Sequence, residues 1–110
     1  MTIIEEVLLE EYQRTLRIKN ALLAEIEQLP KGSLQKKKIK GKEYCYLQYR
    51  EGDSVKSQYV REPMVGIFQE QINKRRDNLS ALKELEKTLL QIERALGKEF
   101  IDEHTAKGIR

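Results

Sequence analysis

Side chains that serve as nucleophile, general base or metal ligand near neutral pH are scarce in these 110 residues, which include a single histidine and a single cysteine. An imidazole acts as a base only when a neighbour orients it. His104 lies near the C-terminus with no partner identifiable in sequence, so it reads as a solvated tail residue. Cys45 stands between Tyr44 and Tyr46 with no histidine nearby, and reads as a small packed hydrophobe. One thiol forms neither an intramolecular disulfide nor a thiolate zinc cluster. Phosphate-cradling glycine loops and the H-E-x-x-H metal motif are missing from the sequence as well. The expectation is a protein that is not an enzyme and uses no metal and no cofactor.

The chemistry these residue types do offer is charge and stacking. Lys and Arg number 21 against 18 Asp and Glu, a net charge of +3, and the excess is local. Residues 1–30 carry 3 basic and 6 acidic side chains and residues 62–110 carry 9 of each, whereas residues 31–61 carry 9 basic against 3 acidic. Lys36, Lys37, Lys38, Lys40, Lys42, Arg50 and Lys56 belong to this middle segment and are interleaved with Tyr44 and Tyr46. Cations that neutralise phosphates release condensed counterions, an attraction indifferent to base sequence. Tyrosine rings stack on unpaired bases or lie along a groove wall. Nucleic acid, DNA first, is the partner that suits such residues. Lys74, Arg75 and Arg76 form a second basic group that would extend the first if the two lie side by side. The plainer reading is that lysines guard exposed strand edges and tyrosines are good strand formers. An excess of six positive charges in 31 residues is more than edge protection requires.

The elements that position these residues are set by periodicity. Ile4, Leu8, Tyr12, Leu16, Leu22, Leu23, Ile26 and Leu29 recur at helical spacing, which predicts an amphipathic helix over 3–29. Thr2 and Glu5 form a capping box at its start, and Pro30 and Gly32 end it. Such a helix is roughly 40 Å long and needs an equally long partner. Residues 64–96 provide one, with Val65, Phe68, Ile72, Leu79, Leu82, Leu89 and Leu96 on a three-four ladder that also passes through Arg75, Glu86 and Glu93. Gly97 is a natural cap, and 98–110 reads as a short helical turn and a tail. Between the helices the period switches to two, predicting a basic sheet of three strands over 33–61, with glycine in the junctions around Gly41-Lys42 and Glu51-Gly52-Asp53-Ser54. On the middle strand Cys45, Leu47 and Tyr49 are expected to face inward.

The predicted fold is therefore α+β, a single domain in which two long antiparallel helices form a coiled-coil-like hairpin with a three-stranded antiparallel sheet inserted between them. Two helices bury only a narrow seam, so a homodimer is expected. No run of 18 apolar residues occurs, and acidic residues stand near the N-terminus where a signal peptide has basic ones, so a cytoplasmic protein without membrane contact is expected.

Leu29-Pro30-Lys31-Gly32-Ser33-Leu34, the segment Lys37-Lys38-Ile39-Lys40-Gly41-Lys42-Glu43-Tyr44-Cys45-Tyr46-Leu47-Gln48-Tyr49-Arg50-Glu51-Gly52 and Val55-Lys56-Ser57-Gln58-Tyr59-Val60 together resemble small uncharacterised proteins of Firmicutes and of their phages and mobile elements. The likeness covers about residues 29–61, and Cys45 stands where those proteins often have a third tyrosine. The sheet is also loosely similar to the three-stranded arm-type DNA-binding domains of tyrosine recombinases, which put a sheet into the major groove but carry one short helix. These resemblances imply a mobile-DNA context, and with the basic sheet they imply a non-catalytic nucleic-acid-binding accessory protein. A second function class fits a phage context: an inhibitor of a host nucleic-acid enzyme, of the anti-CRISPR type, whose Glu5, Glu6, Glu10 and Glu11 enter a basic channel. A third, a structural coiled-coil interaction protein, rests on the heptad ladder alone.

Overall fold

Reciprocal hydrogen bonds start the first helix as the capping box requires: Glu5 N–H donates to Thr2 Oγ1 at 3.1 Å and Thr2 N–H donates to Glu5 Oε1 at 2.8 Å. The structure, a computed structural model, describes the backbone of residues 1–109 and side chains through Thr105; Arg110, expected in the tail, lies outside the described residues. The elements in order are α1 (Ile3–Gln28), β1 (Ser33–Ile39), β2 (Lys42–Glu51), β3 (Ser54–Val60), α2 (Glu62–Leu96) and α3 (Lys98–Ile109). The fold is α+β, two long antiparallel helices with an antiparallel sheet between them in the chain. Two compact units divide it: Met1–Ala24 with the chain from Leu79 onward, and Glu25–Asn78. No helix among the described residues is long and apolar enough to cross a membrane.

In the first unit Tyr12, Leu89, Ile92 and Ile101 form a buried cluster, with Leu8, Leu16 and Leu96 packed against it. The helices run antiparallel here: Tyr12 reaches Glu93, while Lys19, two turns further along α1, shares a shallow depression with Lys83, Glu86 and Lys87. The seam of α2 departs from the expected ladder. Glu86 and Glu93 are exposed, and Leu85 and Ile92 take their place, so the packed positions run 82, 85, 89, 92 and 96. Leu85 and Ile92, each one position before a carboxylate, give the seam its apolar surface. The shift also leaves both carboxylates in water, where an unpaired charge costs least. Ile4, the first rung expected in α1, is 72% exposed because α2 ends at Leu96, opposite Leu8 and Tyr12.

Tyr12 donates its hydroxyl proton to Glu93 Oε1 at 3.2 Å. Burial, and then this bond to a carboxylate, raise its pKa above the usual value of 10. An unfolded tyrosine ionises first, so this contribution to stability is complete below pH 10 and is lost as pH rises through the folded pKa. Tyr12→Phe is expected to remove that alkaline loss, seen as a shallower fall of the melting temperature between pH 9 and 11 than in the parent chain.

Gly97 ends α2 at a φ of +88°, its N–H donating to the Glu93 carbonyl at 2.8 Å. The segment beyond this cap is longer than the expected turn. It forms α3, 12 residues held by the buried Ile101 and Thr105, whose hydroxyl donates to the Ile101 carbonyl. Apolar Phe100 and Ile101 close to the cap, with a threonine one turn on, give this segment a packing face that the polar residues around it mask in sequence. His104 is exposed but helical: its ring stacks on Phe100 at 4.2 Å between centroids, and its Nδ1 lies 2.7 Å from the Phe100 carbonyl.

In the second unit the sheet has the order β1-β2-β3, antiparallel throughout. Both hairpins turn through two residues, so Leu34 pairs with Leu47 and Lys37 with Tyr44 across the first, and Tyr46 pairs with Tyr59 across the second. At the first turn Lys40 and Gly41 have φ of +52° and +83°. Positive φ at both central residues matches the right-handed twist of the strands and favours Asn-Gly. Lysine at the first position carries a Cβ that resists this conformation. Lys40→Asn is accordingly expected to stabilise the chain by about 0.5–1 kcal/mol in chemical denaturation.

Candidate nucleic-acid interface

Register partners share a face of a sheet, and side chains alternate along each strand, so the pairings divide the basic residues between two faces. Leu34, Leu47 and Val60 lie on one. Leu47 and Val60 are buried, at 5% and 3% exposure, which makes this the packed face, and Ile26 is the third buried apolar residue of the unit. Cys45 and Tyr49 share it and are half-buried, in line with the expected inward orientation of the middle strand. Lys36, Lys38 and Lys56 also belong to it, together with Glu43, which pairs with Lys38, and Glu51. Its positive charge is thereby diluted.

The opposite face carries Lys37, Lys42 and Arg50, all exposed, and no carboxylate at any strand position. Tyr44, Tyr46 and Tyr59 occupy its middle. The Tyr59 ring lies 6.2 Å from that of Tyr44 and 5.9 Å from that of Tyr46, tilted by 60° and 64°, within the range of favourable edge-to-face contacts. Lys37 Nζ sits 5.1 Å from the centre of the Tyr46 ring, a cation–π distance that holds a charge over the aromatic cluster. Gln35, Gln48, Ser33 and Ser57 add uncharged donors and acceptors to the same face.

The residues singled out from sequence therefore separate. Lys37, Lys42, Arg50, Tyr44 and Tyr46 come together, Lys36, Lys38 and Lys56 lie on the other face, and Lys40 is in the turn between the first two strands. Tyr59, 53% exposed, was missed. The signal for it is the two-residue turn Gly52-Asp53, which makes partner numbers sum to 105 and so puts 59 opposite 46. Lys74 is engaged elsewhere: its Nζ lies 2.7 Å from Glu25 Oε1, and this contact, with Asn78, holds the Glu25 carboxyl below the usual range. Arg75 stands half-buried on the α2 ladder, with its Nε lacking a hydrogen-bond partner among the described residues. Arg76 is exposed, 3.6 Å from Asp77. Of the acidic residues of α1, Glu5 is held in the capping box and Glu11 by Arg14 at 2.8 Å, and each partner lowers the carboxyl's pKa; Glu6 and Glu10 are exposed.

Comparison with curated proteins and with solved structures found no match. One family model does match, over residues 8–65, which spans α1 from Leu8, the whole sheet and the first residues of α2. Since that is more than half of its 110 residues, the chain belongs to the DUF6788 family, a domain of unknown function.

Proposed function

We propose that this chain is a non-catalytic nucleic-acid-binding protein of the cytoplasm, an accessory of a phage or mobile element, that engages its ligand through the open face of the sheet. The observation that carries the reading is the assembly of Lys37, Lys42 and Arg50 with three tyrosines on a face that has no carboxylate at any strand position. Phosphate contacts supply affinity and positioning, and the rings supply contact with bases or sugars. The chemistry calls for no catalytic group.

The test is fluorescence anisotropy of labelled DNA and RNA titrated with the full chain at several salt concentrations. Three phosphate contacts correspond to a log-log slope of about −2 on a single strand and nearer −3 on a duplex. Binding with such a slope supports the proposal. Absence of binding to every nucleic acid at low salt, or binding indifferent to salt, overturns it and leaves the exposed Glu6 and Glu10, with the inhibitor reading, as the better guide to a partner.

A further inference from the structure

Resting on that proposed function, we infer that the tyrosine face takes unpaired bases, so that its ligand is single-stranded nucleic acid and not a duplex. Three features of the face carry the inference. Its aromatic residues are central and two of its three cations peripheral: Tyr46 and Tyr59 face each other across the strands, with Lys37 next to them, while Lys42 and Arg50 lie toward opposite ends of β2. A duplex presents phosphates at its surface and keeps the flat faces of its bases inside the stack, so it would meet this arrangement with sugar edges against the rings. Unpaired bases offer π-faces to the rings and leave the flanking phosphates to the cations.

The second feature is the economy of charge. Affinity for duplex grows mainly through the number of phosphates neutralised, and strand positions of this face supply three cations. Stacking has to provide much of the remainder. Third, the rings are tilted toward each other at 60° and 64° and not laid flat together. Tyr59, 53% exposed, therefore keeps ring surface available to a ligand. Gln35 pairs with Tyr46 and Gln48 lies two residues along the same strand; the Gln35 amide donates one N–H to Ser33 Oγ at 3.0 Å and keeps its second N–H and its carbonyl for base edges.

The experiment uses the full chain with three labelled probes, a twelve-nucleotide oligo-dT, a twelve-nucleotide oligo-U and a mixed-sequence twelve-base-pair duplex. Anisotropy is measured beside the quenching of intrinsic fluorescence, which is tyrosine fluorescence because the chain has no tryptophan. The single strands are expected to bind at least tenfold more tightly than the duplex and to quench the emission. Tyr59→Ala is expected to weaken single-strand binding by about five- to a hundredfold, with little change for the duplex, and Tyr59→Phe to retain most of it. Because Tyr59 is half-exposed and its substitution leaves Leu47 and Val60 in place, circular dichroism should report an intact fold. A preference for oligo-dT or for oligo-U assigns the single strand to DNA or RNA, and either supports the inference. Duplex binding as tight as single-strand binding, or Tyr59→Ala without effect on the single strands, overturns it while leaving the proposed function standing. Failure of all three probes overturns the proposed function and the inference with it.

Discussion

Replacing Lys37, Lys42 and Arg50 together by glutamine is expected to weaken nucleic-acid binding by roughly a few hundredfold at 50 mM salt and to flatten the salt dependence. Each phosphate contact contributes roughly 0.7 to the slope on a single strand, so three contribute about 2. Extrapolated from 1 M salt, where screening removes most of the attraction, to 50 mM, a slope of 2 corresponds to a few hundredfold. The matched control is the triple replacement of Lys36, Lys38 and Lys56, which removes the same formal charge from the same sheet. Those residues lie on the packed face with Glu43 and Glu51, and their loss should cost less than tenfold through the long-range field alone. Equal losses from the two triples would mean that the chain's charge matters and the face does not. All six residues are exposed, so neither replacement is expected to move the melting temperature by more than a few degrees.

The contrast between the two triples was beyond the reach of the sequence, although every residue in it was visible there. Three consecutive lysines in a strand place charge on both faces in any register, and only the pairing decides which of them joins the tyrosines. That pairing depends on turn geometry: a two-residue loop at Lys40-Gly41 puts Lys37 opposite Tyr44, and a loop one residue longer would have changed every cross-strand neighbour. Helix starts and stops were more legible, because capping is local chemistry. Thr2 and Glu5, or Gly97 after Leu96, act within one turn of themselves. The phase of the α2 seam is a different matter. Glu86 and Glu93 fit a strict heptad as numbers, but a carboxylate goes to water wherever a leucine or isoleucine one position away can pack instead. The length of α3 is hidden in the sequence for a related reason: Ile101 acquires meaning only once Tyr12 and Ile92 are known to wait beside it, and Thr105, one turn on, bonds back to its carbonyl.

Gly32→Ala is expected to be the most damaging glycine-to-alanine change among the described residues. Gly32 has a φ of +106°, a conformation that costs an L-residue about 1–3 kcal/mol. A Cβ there would also overlap the carbonyl oxygen of Gln48 and come within 3.0 Å of Tyr49 Cβ. The obstructing oxygen belongs to the backbone of the central strand and cannot swing aside as a side chain would. Relief requires the start of β1 to lift from β2, at the point where Ser33 pairs with Gln48. A loss of about 3 kcal/mol or more is expected from strain and lost pairing together, a large part of the roughly 5–15 kcal/mol that a domain of this size has. The melting temperature should fall by about 10 °C or more. Gly66→Ala makes the opposite case within the same unit: it lies inside α2 with nothing within 4 Å of an added Cβ, so it should stabilise by about 0.5–1 kcal/mol through helix propensity. Stability and binding are then linked by geometry. The displaced β1 carries Lys37 away from Tyr44 and Tyr46, so whatever Gly32→Ala protein remains folded should bind single strands more weakly than the parent. Gly66→Ala, which leaves the sheet alone, should bind as the parent does. A Gly32→Ala chain that melts within about 2 °C of the parent would show that β1 has room to shift, and the assignment of Lys37 to the tyrosine face would lose its anchor.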